Sequence, residues 1–186
     1  MQYSGIKRIV LGAFLLAFQT IIASNTLSIV SSSVVSGDTA WVEIDMSNTD
    51  EVVGFQFDIL MEQGIEFSGE AYLTTRSSGH SLQISQNQDG THRFLAYNTS
   101  LDPFAGSNGS VLKIGVLTSD YGSFNLAMLN AILGDAQSSN ILTDVDNGTV
   151  IVSTPEPQLG DFNQISFFED SSYVLLQQVL DENIFD

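Results

Sequence analysis

Apolar and polar residues alternate in short runs along most of the chain from Thr26 to Ser153, the signature of half-buried strands. In AWVEIDMSN, Val42, Ile44 and Met46 alternate with Trp41, Glu43 and Asp45, so one face is apolar and the other is acidic with a tryptophan on it. VVGFQFDILM puts Val53, Phe55, Phe57 and Ile59 on one side, with Gln56 and Asp58 opposite. VLKIGVL does the same with Leu112, Ile114 and Val116, and SFNLAML with Phe124, Leu126 and Met128. TLSIVSS, IEF, SLQIS, HRFLAYN and NGTVIVS complete the set, with a less regular stretch from Ile65 to the loop RSSGH. Turn-formers separate the runs: Gly37-Asp38 after the first, Asp89-Gly90 as a strong hairpin signal between SLQIS and HRFLAYN, and Pro103, Gly106 and Gly109 after RFLAYN. The pattern predicts an all-β fold of about nine short strands, an antiparallel β-sandwich of jelly-roll type. No helical period precedes residue 170.

The two ends read differently. Residues 1–24 have the form of an export signal peptide: Lys7 and Arg8, an apolar run from Ile9 to Phe18, and small residues for cleavage after Ala23 or Ser24. That run is short of the roughly 20 residues a membrane span needs, and no other apolar span follows it. The mature protein is therefore expected outside the cytoplasm, secreted or at a cell surface. At the other end, residues 154–160 carry two of the chain's three prolines and read as an extended linker. Residues 161–186 end in a short predicted helix, Ser172 to about Asn183, with Asp170 or Ser171 as N-cap and Leu175, Leu176, Val179 and Leu180 on one stripe. The stripe either covers the chain's own sandwich or meets a partner.

Charge narrows the partners. Five Lys/Arg stand against 22 Asp/Glu, and two of the five lie in the leader. A field of that sign repels phosphate backbones and anionic lipid, which argues against nucleic-acid or membrane-surface binding. The absence of cysteine excludes disulfides, thiolate metal sites and thiol nucleophiles, so the apolar core alone must hold the fold. No nucleophile-elbow, zinc-helix or phosphate-loop motif occurs, and with 22 acids no carboxylate pair can be singled out as hydrolytic. His80 and His92, in a loop and at a strand start, read as surface residues. DVDNG at Asp144–Gly148 has its glycine one residue early for a calcium loop and reads as a turn, as do the Asn-x-Ser/Thr triplets at Asn98, Asn108 and Asn147. These patterns mark no catalytic centre and no resident cofactor, and leave a small hydrolase only as a distant alternative.

The order of these features resembles the cohesin family. The matching elements are the Gly37-Asp38 turn, AWVEIDMSN, VVGFQFDILM, the central RFLAYN…VLKI segment and the closing FNLAMLNAILGDAQSSNILTDVDNGTVIV, together placing the domain at residues 25–153. The resemblance implies a receptor module that binds dockerin modules of polysaccharide-degrading enzymes outside a bacterial cell. Related sandwiches bind sugar polymers, so a carbohydrate-binding module is the alternative. The tail LGDFNQISFFEDSSYVLLQQVL is in turn similar to the start of a dockerin, with one calcium loop and one helix where that family has two. Asp161, Asn163 and Glu169 fall at ligand positions 1, 3 and 9 of such a loop, but Ile165 and Ser172 fall at positions 5 and 12 and Ser166 replaces the usual glycine. Calcium wants about six to eight oxygens, so binding here should be weak or absent.

The candidate contact surface is the outward face of the second strand, Trp41 with Glu43 and Asp45, joined by Leu95 and Tyr97, which face opposite to Phe94 and Ala96. Exposed tryptophan and tyrosine stack on sugar rings or anchor protein interfaces. The competing reading buries Trp41 under a terminal segment.

Overall fold

The computed structural model describes residues 24–155. The export signal apart from Ser24, most of the linker, and the tail with Asp161, Asn163, Glu169 and the expected helix lie outside the described residues. Eleven strands are present among the described residues: β1 (Thr26–Ile29), β2 (Ser32–Val35), β3 (Thr39–Ser47), β4 (Gly54–Met61), β5 (Ile65–Leu73), β6 (Ser81–Gln86), β7 (His92–Tyr97), β8 (Ser110–Thr118), β9 (Gly122–Gly134), β10 (Asp144–Asp146) and β11 (Gly148–Ser153). A single 3-10 turn, Thr75–Ser77, is the one helical element among the described residues. Five strands form one sheet in the order β10-β1-β3-β8-β5, and six form the other in the order β2-β11-β9-β4-β7-β6.

The alternation read from the sequence faces inward as expected. Val42, Ile44 and Met46 of β3, Leu112, Ile114 and Val116 of β8, and Phe55, Phe57 and Ile59 of β4 are all buried in one continuous core between the sheets. Four phenylalanines link that core: Phe57 lies 5.3 Å from Phe55 and 5.6 Å from Phe94, and Phe104 stacks 5.6 Å from Phe55. Each such side chain contributes roughly 1.5–3 kcal/mol on burial, the only large stabilising term open to a chain without disulfides.

One strand read as single from the sequence is divided, and the segment read as a turn at DVDNG carries a short strand of its own. TLSIVSS breaks at Val30-Ser31, where the chain leaves the five-stranded sheet as β1 and joins the six-stranded sheet as β2. The C-terminal end makes the same crossing at Asn147, between β10 and β11, and runs parallel to the first in both sheets. The two crossings touch: a Cβ on Gly148 would stand 2.6 Å from the carbonyl oxygen of Ile29. The DVDNG turn is thus a sheet switch, with the Asn147 side chain accepting a hydrogen bond from the Met128 amide at 2.9 Å. Asn98 likewise caps its own turn, accepting from the Ser100 amide at 2.7 Å.

β9 is longer than SFNLAML alone implies. It continues past Asn130, which sits in the left-handed region (φ 51°) and produces a bulge against β4. The bulge changes the parity of the strand, so Leu126 and Met128 point inward before it and Leu133 after it. Arg76, from the 3-10 turn, ties down the loop between β7 and β8: its guanidinium donates to the carbonyls of Ala105 and Met46 (2.6 Å each), Gly109 (2.9 Å) and Gly106 (3.1 Å), and to Asn48 Oδ1 (2.6 Å). His80 corrects the expectation of a surface residue. It is half-buried, its ring stacks 3.8 Å from that of Phe104, and both ring nitrogens are buried without a hydrogen-bond partner among the described residues.

Candidate binding faces

Because residues paired across strands share a face, the register defines the outward side chains of each sheet. On the six-stranded sheet one row runs Gln83, Leu95, Gln56, Ile132 across β6, β7, β4 and β9, and the next runs Ser85, Arg93, Asp58, Leu129. Leu60 and Ile151 extend this face, and Ile132 is 41% exposed on it. Tyr97 lies opposite Gly54, and its hydroxyl accepts a hydrogen bond from Gln83 Nε2 at 3.3 Å. The result is a set of exposed branched aliphatics spread over adjacent strands, bordered by amides and a tyrosine. Between β6 and β7 it holds a shallow depression of about 300 Å³ lined by Gln83, Ile84, Ser85, Arg93 and Leu95.

A charge pair lies in the middle of this face. Asp58 is on the outward side, as its sequence position predicts, yet only 1% exposed. Arg93 closes over it with Nε 2.7 Å from Oδ1 and Nη2 2.8 Å from Oδ2, and the Asn130 side chain, aimed by the bulge, donates to Oδ2 at 2.9 Å. The Arg93 hydrogen bonds hold the Asp58 carboxyl down at about 2, against the opposing effect of burial. The two-pronged geometry makes this a fixed feature of the face.

The five-stranded sheet presents a different surface. Trp41 on β3 is 41% exposed, and the terminal segments that the competing reading would lay over it are outside the described residues. Its ring stands 5.5 Å from that of Tyr72 on β5, tilted by 37°. Between them β8 contributes Gly115, opposite Trp41, and Lys113, opposite both Glu43 and Tyr72. No Cβ intervenes at Gly115, and the Ser68 hydroxyl, in the bulge where β5 bends over β8, packs against that position. Lys113 Nζ pairs with Glu43 at 2.6 Å, and the Tyr72 hydroxyl donates to Glu70 at 3.2 Å. Asp45 is half-buried further along β3; burial pushes its carboxyl up, Glu43 adds to this and Arg76 opposes it.

The five residues singled out from the sequence therefore do not form one surface. Trp41, Glu43 and Asp45 lie on the outside of one sheet, Leu95 and Tyr97 on the outside of the other, with the core between them. Strand alternation tells which residues point outward but not to which sheet a strand belongs. Sequence reasoning missed Tyr72, which lies in an irregular run interrupted by the Ser68–Glu70 bulge. It also missed Leu60 and Leu129, whose outward position the alternation of β4 and of the first half of β9 already implies, and Ile132, whose outward position depends on the bulge at Asn130. Among the described residues no group of three or more His, Asp or Glu side chains is placed to hold a metal ion, and no helix is long and apolar enough to cross a membrane.

No protein-family model matches the chain, and no curated protein matches it in sequence. Solved structures do match, and the fold they share with this chain is the cohesin sandwich. A non-cellulosomal cohesin from the archaeon Archaeoglobus fulgidus superposes with a TM-score of 0.62 at 14% identity, over 72% of this chain and 94% of its own. The sixth cohesin of scaffoldin B from Acetivibrio cellulolyticus, solved in complex with a dockerin, gives 0.62 at 15% identity over 70% and 99%. A cohesin module of a family 33 glycoside hydrolase from Clostridium perfringens gives 0.61 at 13% identity over 72% and 100%.

Proposed function

We propose that this chain is a secreted, non-catalytic assembly module that holds a dockerin-like module of another protein on the outer face of its six-stranded sheet. The work served is extracellular polysaccharide degradation at a bacterial surface. The observation that carries the reading is the aliphatic face itself. Leu60, Leu95, Leu129 and Ile132 stand on adjacent strands of a rigid sheet with amides and one fixed ion pair among them, the make-up of a protein interface with an apolar centre and a polar border. The similarity to cohesins captured with dockerins supports it, and the matching archaeal cohesin and hydrolase-borne module broaden the setting beyond a single kind of scaffold.

The test is calorimetric titration of the purified protein with a panel of recombinant dockerin modules. At least one should bind, and Ile132→Asp, which places an unpaired charge in the apolar centre, should weaken that binding by about a hundredfold or more. Trp41→Ala, on the other sheet, should leave it unchanged. Binding that survives both Ile132→Asp and Leu95→Asp, or no binding across the panel, would overturn the assignment.

A further inference from the structure

We infer that the opposite face, on the five-stranded sheet, is a second binding site, and that its ligand is a neutral polysaccharide chain stacked on Trp41 and Tyr72. The two rings come from strands separated by β8 and approach each other across it, beside the bulge where Ser68 packs on Gly115, so an apolar ledge crosses the sheet. Both rings are substantially exposed, Tyr72 to 55%. Around them stand Glu43, Lys113 and Glu70, already oriented by the Lys113–Glu43 ion pair and the Tyr72–Glu70 hydrogen bond.

The chemistry of these surroundings selects the ligand. A pyranose ring offers a C–H face that packs on an aromatic plane and a rim of hydroxyls that donate to carboxylates and accept from an ammonium. A protein partner would want apolar neighbours around the tryptophan, as the other sheet provides around Ile132. Here the neighbouring outward positions on β3 and β8 are Glu43 and Lys113, and the large aliphatics are only Leu117 and, beside Glu43, Val30. Acidic glycans are disfavoured by the formal net charge of −17 and by the engagement of Lys113, the sole cation of the ledge, with Glu43. The bulge in β5 and the glycine in β8 fix the ledge before any ligand arrives, so little ordering accompanies binding.

The chain contains a single tryptophan, so its fluorescence reports on this site directly. The intact protein would be titrated with cellohexaose, xylohexaose, mannohexaose and maltohexaose, with polygalacturonate as the acidic control. A saturable change in emission with at least one neutral oligosaccharide is expected, with Tyr72→Ala binding about tenfold or more weakly and Trp41→Ala losing retention on the corresponding insoluble polysaccharide. Both side chains are exposed, so each variant should melt near the parent, which separates loss of binding from loss of fold. Ile132→Asp should bind the oligosaccharide as the parent does, so failure of the dockerin assignment would leave this one standing, and the reverse. The inference is overturned if no neutral oligosaccharide changes the emission, if only polygalacturonate does, if Tyr72→Ala binds undiminished, or if the emission shifts with protein concentration alone, which would make the ledge a self-association surface.

Discussion

Breaking the Asp58–Arg93 pair should expose how much of the stability of the six-stranded sheet rests on one buried carboxylate. The Asp58 carboxyl is held at about 2 in the folded protein, against 3.8 for the free group. A tenfold change in proton affinity is worth about 1.4 kcal/mol, so the folded state gains on the order of 2 kcal/mol from keeping Asp58 ionised. The folded value is depressed, so this contribution is fully present above pH 4 and is lost as pH falls from about 4 through about 2. The other carboxylates pull the opposite way, because protonating them relieves repulsion in a chain with 22 acids. The measurement must therefore be a difference: urea unfolding of the parent and of Asp58→Asn at matched pH between 7 and 2. The parent should lead by about 2 kcal/mol at pH 7, and the gap should close as pH falls from 4 to 2. Arg93→Met leaves the charge buried with only the neutral side chains of Asn130 and Asn87 to support it. It should cost about 2–3 kcal/mol at pH 7, below the usual penalty for orphaning a buried ion because the Arg93 side chain is itself 38% exposed. The double variant should fall short of the sum of the two singles by more than about 1 kcal/mol, the mark of a shared interaction. A gap between parent and Asp58→Asn that stays constant from pH 7 to pH 2, or additive singles, would refute the reasoning.

Two further expectations follow from single positions. Gly148→Ala should destabilise by about 2 kcal/mol or more, because its Cβ would meet the Ile29 backbone where the two sheet-switching crossings touch; Gly37→Ala, with nothing within 4 Å, should cost only about 1 kcal/mol for its positive φ, and equal melting temperatures for the two would count against the packing argument. Calcium added to the full-length mature chain and to the same chain ending at Thr154 should produce no heat and no rise in melting temperature in either, since Ile165, Ser166 and Ser172 interrupt the ligand set of Asp161, Asn163 and Glu169; a response confined to the longer chain would show that the loop is a working site.

The fold was readable because period-two alternation is a local signal and a sandwich core is its direct consequence. Phe55, Phe57 and Ile59, or Leu112, Ile114 and Val116, must share a face whatever the strands pair with, and burying those faces against one another leaves few architectures. The binding faces were only half readable, for the same reason. Alternation marks Trp41 and Leu95 equally as outward residues, but the sheet each occupies is decided by pairing between strands far apart in sequence: β3 with β8, and β4 with both β7 and β9. Bulges then move residues between faces without leaving a strong mark in the sequence. Asn130 shifts the parity of β9 and brings Ile132 outward beside Gln56, and the Ser68–Glu70 bulge carries Tyr72 over to Trp41. One pattern of alternation thus builds a sandwich with two dissimilar outer surfaces, an aliphatic one suited to a protein and an aromatic, hydroxyl-matching one suited to a sugar. Because the whole core lies between them, occupying one leaves the other free, so the two proposed sites should bind independently: a ligand on the Trp41–Tyr72 ledge should leave the affinity measured on the Ile132 face unchanged.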